Sequence, residues 1–137
     1  MRYLLDTNIC IYLIAKRPAH VRHKFNAVPV GNIGISSISV AELQFGAEKS
    51  SRPEQAALAL EQLLLFLPIA DFDAVAAHHY GKLRAMLERN GTPIGPLDML
   101  IAAHALALET TLVTNNVREF QRVPGLAIEN WADAEPS

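Results

Sequence analysis

Short, almost wholly apolar segments alternate with longer segments of helical periodicity along the whole chain, and this alternation restricts the possible folds more than any other feature of the sequence. Such short segments suit strands, and strands with hardly any polar residues lie in sheets that are covered on both faces. A helix between successive strands lets those strands run parallel in a layered arrangement. The sequence therefore predicts one α/β domain at residues 1–132, a three-layer α/β/α sandwich with a short, mainly parallel sheet, followed by a C-terminal tail at residues 133–137.

The predicted elements follow from the positions of apolar runs, prolines and capping residues. Strands are predicted at residues 3–5, 33–36, 68–72, 111–114 and 126–128. Helices are predicted at residues 9–14, 18–28, 37–49, 54–67, 74–89, 97–109 and 116–122. The most regular helix is the one at 54–67, where leucines recur three and four positions apart, and Asp73 is predicted to cap the helix after it.

Composition and charge exclude several classes of protein. The chain has 137 residues, of which 50% are hydrophobic and 19% are charged, and this fits one globular domain rather than a disordered chain. No apolar run is long enough to cross a bilayer, the N-terminus leaves no room for a signal peptide, and the single cysteine, Cys10, excludes a disulfide framework or a cysteine-rich zinc site. We therefore expect a cytoplasmic protein without a membrane segment. The net charge of −2 argues against a nonspecific nucleic-acid binder but allows a nuclease whose acids surround a metal.

Polar side chains that could bind a metal stand close to the points where predicted strands end or the following helices begin. They are Asp6 after the first strand, Glu42 and Asp98 in the helices at 37–49 and 97–109, and Asn115, Asn116 and Glu119 after the strand at 111–114. In open α/β sheets the carboxyl ends of the strands meet at one edge, and ligands bind there. These side chains could therefore converge although they are far apart in sequence.

Each of these residues also has a purely structural explanation. Asp6 or Asn116 could cap a helix, Glu42 could close a capping box with Ser39, and Asp98 could interact favourably with a helix dipole. Three acids at one sheet edge, however, would repel one another and raise one another's pKa unless a cation lay between them. Oxygen ligands favour magnesium or manganese, which support phosphoryl chemistry. The combination therefore predicts a site for a divalent metal.

Four segments carry a family resemblance. They are Leu5-Asp6-Thr7-Asn8, Ser39-Val40-Ala41-Glu42-Leu43, Pro96-Leu97-Asp98-Met99-Leu100-Ile101-Ala102-Ala103, and Leu112-Val113-Thr114-Asn115-Asn116 with Glu119-Phe120. In this order they resemble the PIN-domain ribonucleases, and more narrowly the VapC toxins of bacterial toxin–antitoxin pairs. The resemblance covers essentially the whole chain and implies a PIN-like fold and an endoribonuclease that depends on Mg²⁺ or Mn²⁺.

By this resemblance three acids bind the metal and further side chains support them. The implied ligands are Asp6, Glu42 and Asp98, and the supporting residues are Thr7, Asn8, Thr114, Asn115 and Glu119. The family also implies a homodimer, a VapB-type antitoxin that enters the active-site groove in a toxin–antitoxin hetero-oligomer, and a structured RNA substrate such as a tRNA anticodon loop. The segment Thr114-Asn115-Asn116 resembles one subgroup of the family, and on that basis our hypothesis for the substrate is initiator tRNA.

One position departs from the usual family pattern. Many PIN domains have a fourth acid just after the threonine that is Thr114 here, whereas this chain has Asn115 and Asn116. We choose Asn116 as the fourth catalytic residue, because an amide oxygen can also bind magnesium, and Glu119 is the other candidate. With fewer negative ligands a second metal would bind more weakly, so catalysis with one metal stays open. Arg118 ranks first among the basic residues as an RNA contact because it is near Asn116.

Other classes fit the sequence less well. Phosphatases of the haloacid-dehalogenase type need a second Asp where Asn8 stands, and receiver domains need a lysine after their last strands. Dinucleotide-binding folds need Gly-x-Gly-x-x-Gly after the first strand, and that motif is absent from the sequence. The non-enzyme alternative is a PIN-like interaction module with a decayed site. Measured turnover of RNA would distinguish an enzyme from such a module.

None of the histidines is predicted to bind a metal. His20 and His23 are three residues apart and His78 and His79 are adjacent, and neither pair has a third ligand at a zinc-type spacing. His104 lies six residues after Asp98 and so does not share that acid's helix face. We expect it in the core or at an interface.

Overall fold

The computed structural model describes residues 1–133, in which strands and helices alternate from the N-terminus onward. The strands are β1 (Tyr3–Leu5), β2 (Ile33–Ser36), β3 (Ile69–Ala70), β4 (Thr111–Val113) and β5 (Ile128–Glu129). The helices are α1 (Thr7–Ala15), α2 (Ala19–Ala27), α3 (Ser37–Lys49), α4 (Pro53–Leu64), α5 (Ala74–Arg89), α6 (Pro96–Leu108) and α7 (Val117–Phe120). Among these residues no helix combines the length and the apolar character that crossing a membrane requires.

One sheet contains the five strands of this part of the chain, in the order β3-β2-β1-β4-β5. Each pairing between neighbours is parallel, and in the centre Leu5 of β1 stands opposite Ile35 of β2 and Val113 of β4. The chain builds outward from β1 to β3 on one side and then adds β4 and β5 on the other. Ligands bind at such a switch point in open α/β sheets, so the residues that follow β1 and β4 lie where a site is expected.

Alternate side chains of β1 point to opposite faces of the sheet and divide the core in two. Tyr3 and Leu5 pack with side chains of α1 to α4, whereas Leu4 packs with Leu112 and with side chains of α5 to α7. Leu4 and Leu5 are both completely buried, as expected for a strand covered on both faces. The predicted three-layer sandwich with a parallel sheet is therefore confirmed.

The ends of several elements differ from the prediction. Helix α4 ends at Leu64 rather than at residue 67, because the N–H groups of Leu65 and Phe66 bond to carbonyls three residues back and tighten the turn. Strand β3 has two residues instead of five, and β5 begins two residues later than predicted. Both strands lie at an edge of the sheet, where only one neighbour extends the pairing.

The predicted tail at 133–137 lies almost wholly outside the described residues. Trp131 is buried and its ring packs edge-on against Tyr3, with ring centroids 5.3 Å apart. The ordered core therefore extends at least to this tryptophan. The division into residues 1–132 and 133–137 stays a prediction.

Replacing Asp73 by alanine is expected to cost about 0.5–2 kcal/mol of folding stability, because its carboxylate caps α5. Asp73 Oδ1 accepts a hydrogen bond from the backbone N–H of Ala76 at 3.0 Å, which confirms the predicted cap. Asp73→Asn keeps a side-chain acceptor and serves as the matched control. Urea denaturation of both variants measures the difference, and an equal loss in the two would assign the stabilisation to charge rather than to the cap.

Candidate active site

Asp6 lies at the carboxyl end of β1, where the backbone leaves the sheet and begins α1. Its N–H donates to the Val113 carbonyl at 2.8 Å, so the residue is still tied to β4. Its Oδ1 accepts a hydrogen bond from the Thr7 N–H at 2.8 Å, and its Oδ2 accepts one from Thr114 Oγ1 at 2.7 Å. The residue is only 4% exposed. Asp6 is therefore both the N-cap of α1 and a fixed carboxylate in the middle of the sheet edge.

Glu42 reaches the same edge from α3 and is joined to α1 through Thr7. Thr7 Oγ1 donates to Glu42 Oε1 at 2.8 Å, so one threonine contacts two acids. The capping box of Ser39 and Glu42, which was the structural alternative for this acid, does not form. Ser36 is the N-cap of α3, since its backbone is extended and its Oγ accepts from the Ile38 N–H at 3.0 Å. Glu42 consequently lies in the second helical turn, too far along α3 for its side chain to cap the first turn.

Asp98, Asn116 and Glu119 form the other half of the cluster. Asp98 lies in the first turn of α6, as predicted, and Glu119 lies in α7. Asn116 Nδ2 donates to Glu119 Oε2 at 2.9 Å and, at a longer 3.5 Å, to Asp98 Oδ2. Asn116 occupies the N-cap position of α7, but its side chain makes no capping hydrogen bond. Both candidates for the fourth position are thus beside Asp98, and the amide of Asn116 presents its nitrogen to the acids.

Two predicted supporting residues, Asn8 and Asn115, are exposed. Asn115 Nδ2 donates to the Tyr12 hydroxyl at 3.0 Å, and Asn115 Oδ1 accepts from Asn130 Nδ2 at 3.3 Å. Asn115 therefore connects α1 to the segment after β5 at the rim of the site. The contact with Tyr12 was not predicted, and nothing in the spacing of the two residues indicates it.

Arg122 is a cation that acts on one of the acids. Its charge lowers the pKa of Glu119, and its guanidinium donates to the Pro93 carbonyl at 2.9 Å. Arg118 is exposed on α7. The sequence signal for Arg122 is that it follows Glu119 by three residues, a spacing that brings side chains together in a helical turn. The RNA contact of Arg118 stays a prediction.

Negative charge accumulates at this edge. Burial raises the pKa of the Asp6 carboxyl, hydrogen bonds from the two threonines oppose that rise, and the charge of Glu42 adds to it. Burial also raises the pKa of Asp98 to about 7, together with the hydrogen bond that it shares with Glu119 and the charges of Asp6, Glu119 and Glu42. The same shared hydrogen bond lowers the pKa of Glu119. At neutral pH Asp98 therefore keeps part of a proton, which reduces the repulsion among the four acids.

The donors at this edge fit a divalent metal by their chemistry. Carboxylate oxygens are the ligands that hard cations such as Mg²⁺ and Mn²⁺ prefer. Burial, and to a lesser extent the charges of neighbouring acids, raises the pKa of Asp6 and Asp98, and a bound cation would oppose both effects. Within residues 1–133, however, no three Asp, Glu, His or Cys side chains form a group that could hold an ion as they stand. Hydrogen bonds through Thr7 and Asn116 join the acids in pairs instead. Binding therefore requires side-chain movement.

A cleft of about 260 Å³ adjoins the cluster on the side of α3. Thr7 and Glu42 form one end of it, and its walls are mostly apolar side chains of α1, α3 and α4. A larger groove of about 460 Å³ lies between α1, α2 and α4 and is lined by Leu13, Ile14, Lys16, Arg22, Phe25, Asn26, Ala59, Gln62, Leu63 and Phe66. The site therefore continues into a cleft at the surface.

The chain is an α/β/α protein, because its parallel sheet is covered by helices on both faces. Its acidic cluster lies at the switch point of the sheet and is built from the ends of β1 and β4 and from α3, α6 and α7. The sequence profile of the PIN domain family matches residues 3–126. The chain belongs to the PIN-domain family, and within it to the VapC group, as its sequence predicts.

The relatives match over nearly their full lengths. The chain is 46% identical over 131 residues to the tRNA(fMet)-specific endonuclease VapC of Salmonella typhimurium, with 96% of this chain and 98% of the relative covered. It is 48% identical over 132 residues to ribonuclease VapC2 of Rickettsia felis, with the same coverage. The crystal structure of DNA-bound VapBC from Salmonella typhimurium aligns with a TM-score of 0.91 at 46% identity, over 96% of this chain and 98% of that chain.

Proposed function

We propose that this protein is a divalent-metal-dependent endoribonuclease, the toxin of a toxin–antitoxin pair, and that it cleaves the initiator tRNA, tRNA(fMet), in the cytoplasm. The observation that carries the proposal is the placement of two hydrogen-bonded pairs of residues, Thr7 with Glu42 beside Asp6 and Asn116 with Glu119 beside Asp98, at the switch point of the sheet. Burial and, to a lesser extent, repulsion between the acids raise the pKa of Asp6 and Asp98 there. The relatives whose names state ribonuclease activity support it, because they align over nearly the whole chain.

Asp6, Glu42 and Asp98 would hold the metal, Mg²⁺ or Mn²⁺. When bound, such an ion supplies an activated water and charge neutralisation for hydrolysis of a phosphodiester. Hydrogen bonds from Thr114 and Thr7 oppose the rise in the pKa of Asp6 and fix its orientation, and Thr7 also orients Glu42. Asn116 would reduce the repulsion between Glu119 and Asp98 by donating a hydrogen bond to each of them.

The groove between α1, α2 and α4 is the proposed docking surface for a VapB-type antitoxin. Leu13, Phe25 and Phe66 make it apolar, and Lys16 and Arg22 add positive charge at its lining. Such a surface suits an amphipathic segment that carries acidic residues beside its apolar face. The leucine-rich helix predicted at 54–67 supplies one wall, as α4, and the solved VapBC complexes support an antitoxin as the partner. A homodimer bound to antitoxin would then form the hetero-oligomer, and Arg118 stays a proposed RNA contact.

The test is cleavage of tRNA by the purified chain, free of antitoxin, in Mg²⁺ and in EDTA. We expect cleavage of tRNA(fMet) in Mg²⁺, little cleavage of elongator tRNA(Met) as the matched substrate, and none in EDTA. Cleavage in EDTA would contradict the metal requirement. Loss of every activity in Mg²⁺ and in Mn²⁺ would favour the alternative, an interaction module without turnover.

Thr114→Val is expected to weaken Mn²⁺ binding about tenfold, because removing one hydrogen bond to a metal ligand commonly reduces affinity by about 10–100-fold. The hydroxyl donates to Asp6 Oδ2 and lowers the pKa of that acid, whereas valine has nearly the same shape and no donor. Thr114→Ser keeps the donor and is the control. Calorimetric titration with Mn²⁺ measures the affinity, and equal affinity in the valine and serine variants would refute this role for Thr114.

A further inference from the structure

His104 is a buried polar side chain inside an apolar segment. Residues 101–105 of α6 are all buried, and the other four are isoleucine and alanine. The residue is 1% exposed, and its Nδ1 forms a hydrogen bond with Ser36 Oγ at 2.8 Å. Its Nε2 has no hydrogen-bond partner among residues 1–133. A buried nitrogen without a partner costs stability, so an apolar residue here would suit the fold better than histidine does.

The partner of His104 controls where α3 begins. Ser36 is the last residue of β2 and the N-cap of α3, and its Oγ also accepts from the Ile38 N–H. The neighbouring Ser37 Oγ accepts from the Phe72 N–H at 3.0 Å, and the Phe72 ring lies edge-on to His104 with ring centroids 5.3 Å apart. The first turn of α3 is therefore held by α6 and by the segment after β3.

Helices α3 and α6 carry two of the acids. Glu42 lies on α3 and Asp98 on α6, and the bond between His104 and Ser36 joins α6 to the start of α3. Burial lowers the pKa of His104. Part of that shift is countered by the charge of Asp73 and by the backbone and charge of Asp71. The imidazole is thus neutral, and its bond to Ser36 does not depend on a titrating charge.

We propose that His104 is a positioning residue for the acidic site: its hydrogen bond to Ser36 fixes the start of α3 against α6 and thereby sets the distance between Glu42 and Asp98. This inference rests on the proposed function, because it concerns the metal affinity of those two acids. Histidine at this position can bond to the N-cap Ser36, but it leaves Nε2 without a partner and so lowers the stability of the fold.

The test compares His104→Leu, His104→Gln and Ser36→Ala in the full chain. His78→Leu, at an exposed position of α5, is the matched control. The Mn²⁺ dissociation constant is measured by calorimetry without RNA, and kcat and KM are then measured with RNA. His104→Leu and Ser36→Ala should each weaken Mn²⁺ binding about tenfold and lower kcat, with KM changed less than about twofold. The double variant should bind no more weakly than Ser36→Ala, because that variant already lacks the bond to His104 as well as the cap bond to the Ile38 N–H. His104→Gln should recover part of the affinity.

Unchanged Mn²⁺ affinity in His104→Leu and Ser36→Ala, with only a lower melting temperature, would assign the bond to core packing and overturn the proposal. If His104→Leu does not fold, His104→Phe, which also lacks the bond and leaves the Ser36 cap intact, takes its place. A wild-type chain that binds no Mn²⁺ and cleaves no RNA would overturn the proposed function and this inference together. A wild-type chain that does both, with variants that match it, would overturn only the role of His104.

Discussion

Asp6→Asn is expected to reduce RNA cleavage at least about a hundredfold, because charge stabilisation by a bound metal is worth several kcal/mol and each 1.4 kcal/mol is about tenfold in rate. Asparagine has the size of aspartate and keeps an oxygen that can accept from the Thr7 N–H. It lacks the charge that a divalent ion requires at the centre of the sheet edge. The loss should therefore appear in kcat and in Mn²⁺ affinity rather than in the fold.

The same substitution should leave the metal-free protein as stable as wild type or more stable. Burial raises the pKa of Asp6, so ionising this carboxyl in the folded chain has a cost that a neutral amide does not have. Melting temperature in EDTA and single-turnover cleavage in Mg²⁺ are the two measurements. Glu48→Gln, an exposed acid on α3, is the control and should change neither. A melting temperature well below wild type would mean that lost activity reflects unfolding, and full cleavage by Asp6→Asn would remove Asp6 from the mechanism.

The position of Asp6 could be predicted because two local patterns meet there. An apolar strand ends at Leu5, and a helical apolar run begins within a few residues, so a residue between them must lie at a strand end. Its role as a cap was equally predictable, and the structure shows both roles in one side chain. Local patterns of this kind locate strand ends well.

The bounds of α3 were predicted correctly, and its cap shows where local patterns stop being sufficient. Ser36 and Ser39 are both good N-caps, and Glu42 completes a capping box only if the helix begins at Ser39. The pairing of β2 with β1 and β3 decides the matter, because it keeps Ser36 extended to the last residue of the strand. That pairing joins residues far apart in sequence, so it cannot be predicted from the periodicity of α3.

The residues after β4 contain a signal that sequence could have used more fully. Successive side chains in an extended chain point to opposite sides. Thr114 points into the site, Asn115 is exposed at the rim, and Asn116 returns to the acids. This alternation favours Asn116 over Asn115 as the fourth residue. Which atom of the amide faces the acids depends on the side chain of Glu119, and no spacing rule predicts it.

Asp98 is expected to make the metal-free protein less stable at about pH 8 than at about pH 5. Its pKa is about 7 in the folded chain against an ordinary value of 3.8, so between these values the folded state holds a proton that the unfolded state has lost. The free energy of unfolding therefore falls as the pH rises through this window, and this contribution is complete only below the ordinary value. The shift corresponds to about 4 kcal/mol, which solvent screening of a partly exposed group reduces to about 1–2 kcal/mol.

Asp98→Asn isolates that contribution, because it removes the titrating group and nearly keeps its shape. In EDTA the variant should melt at a higher temperature than wild type at about pH 8 and at a similar temperature at about pH 5, whereas the exposed control Asp71→Asn should follow wild type. Parallel pH profiles for wild type and Asp98→Asn would contradict the assignment. Mn²⁺ should raise the melting temperature of wild type most at the higher pH, because there the ion need not displace a proton from Asp98. It should raise that of Asp98→Asn little, since the carboxylate that destabilises the metal-free fold is the one that the ion stabilises.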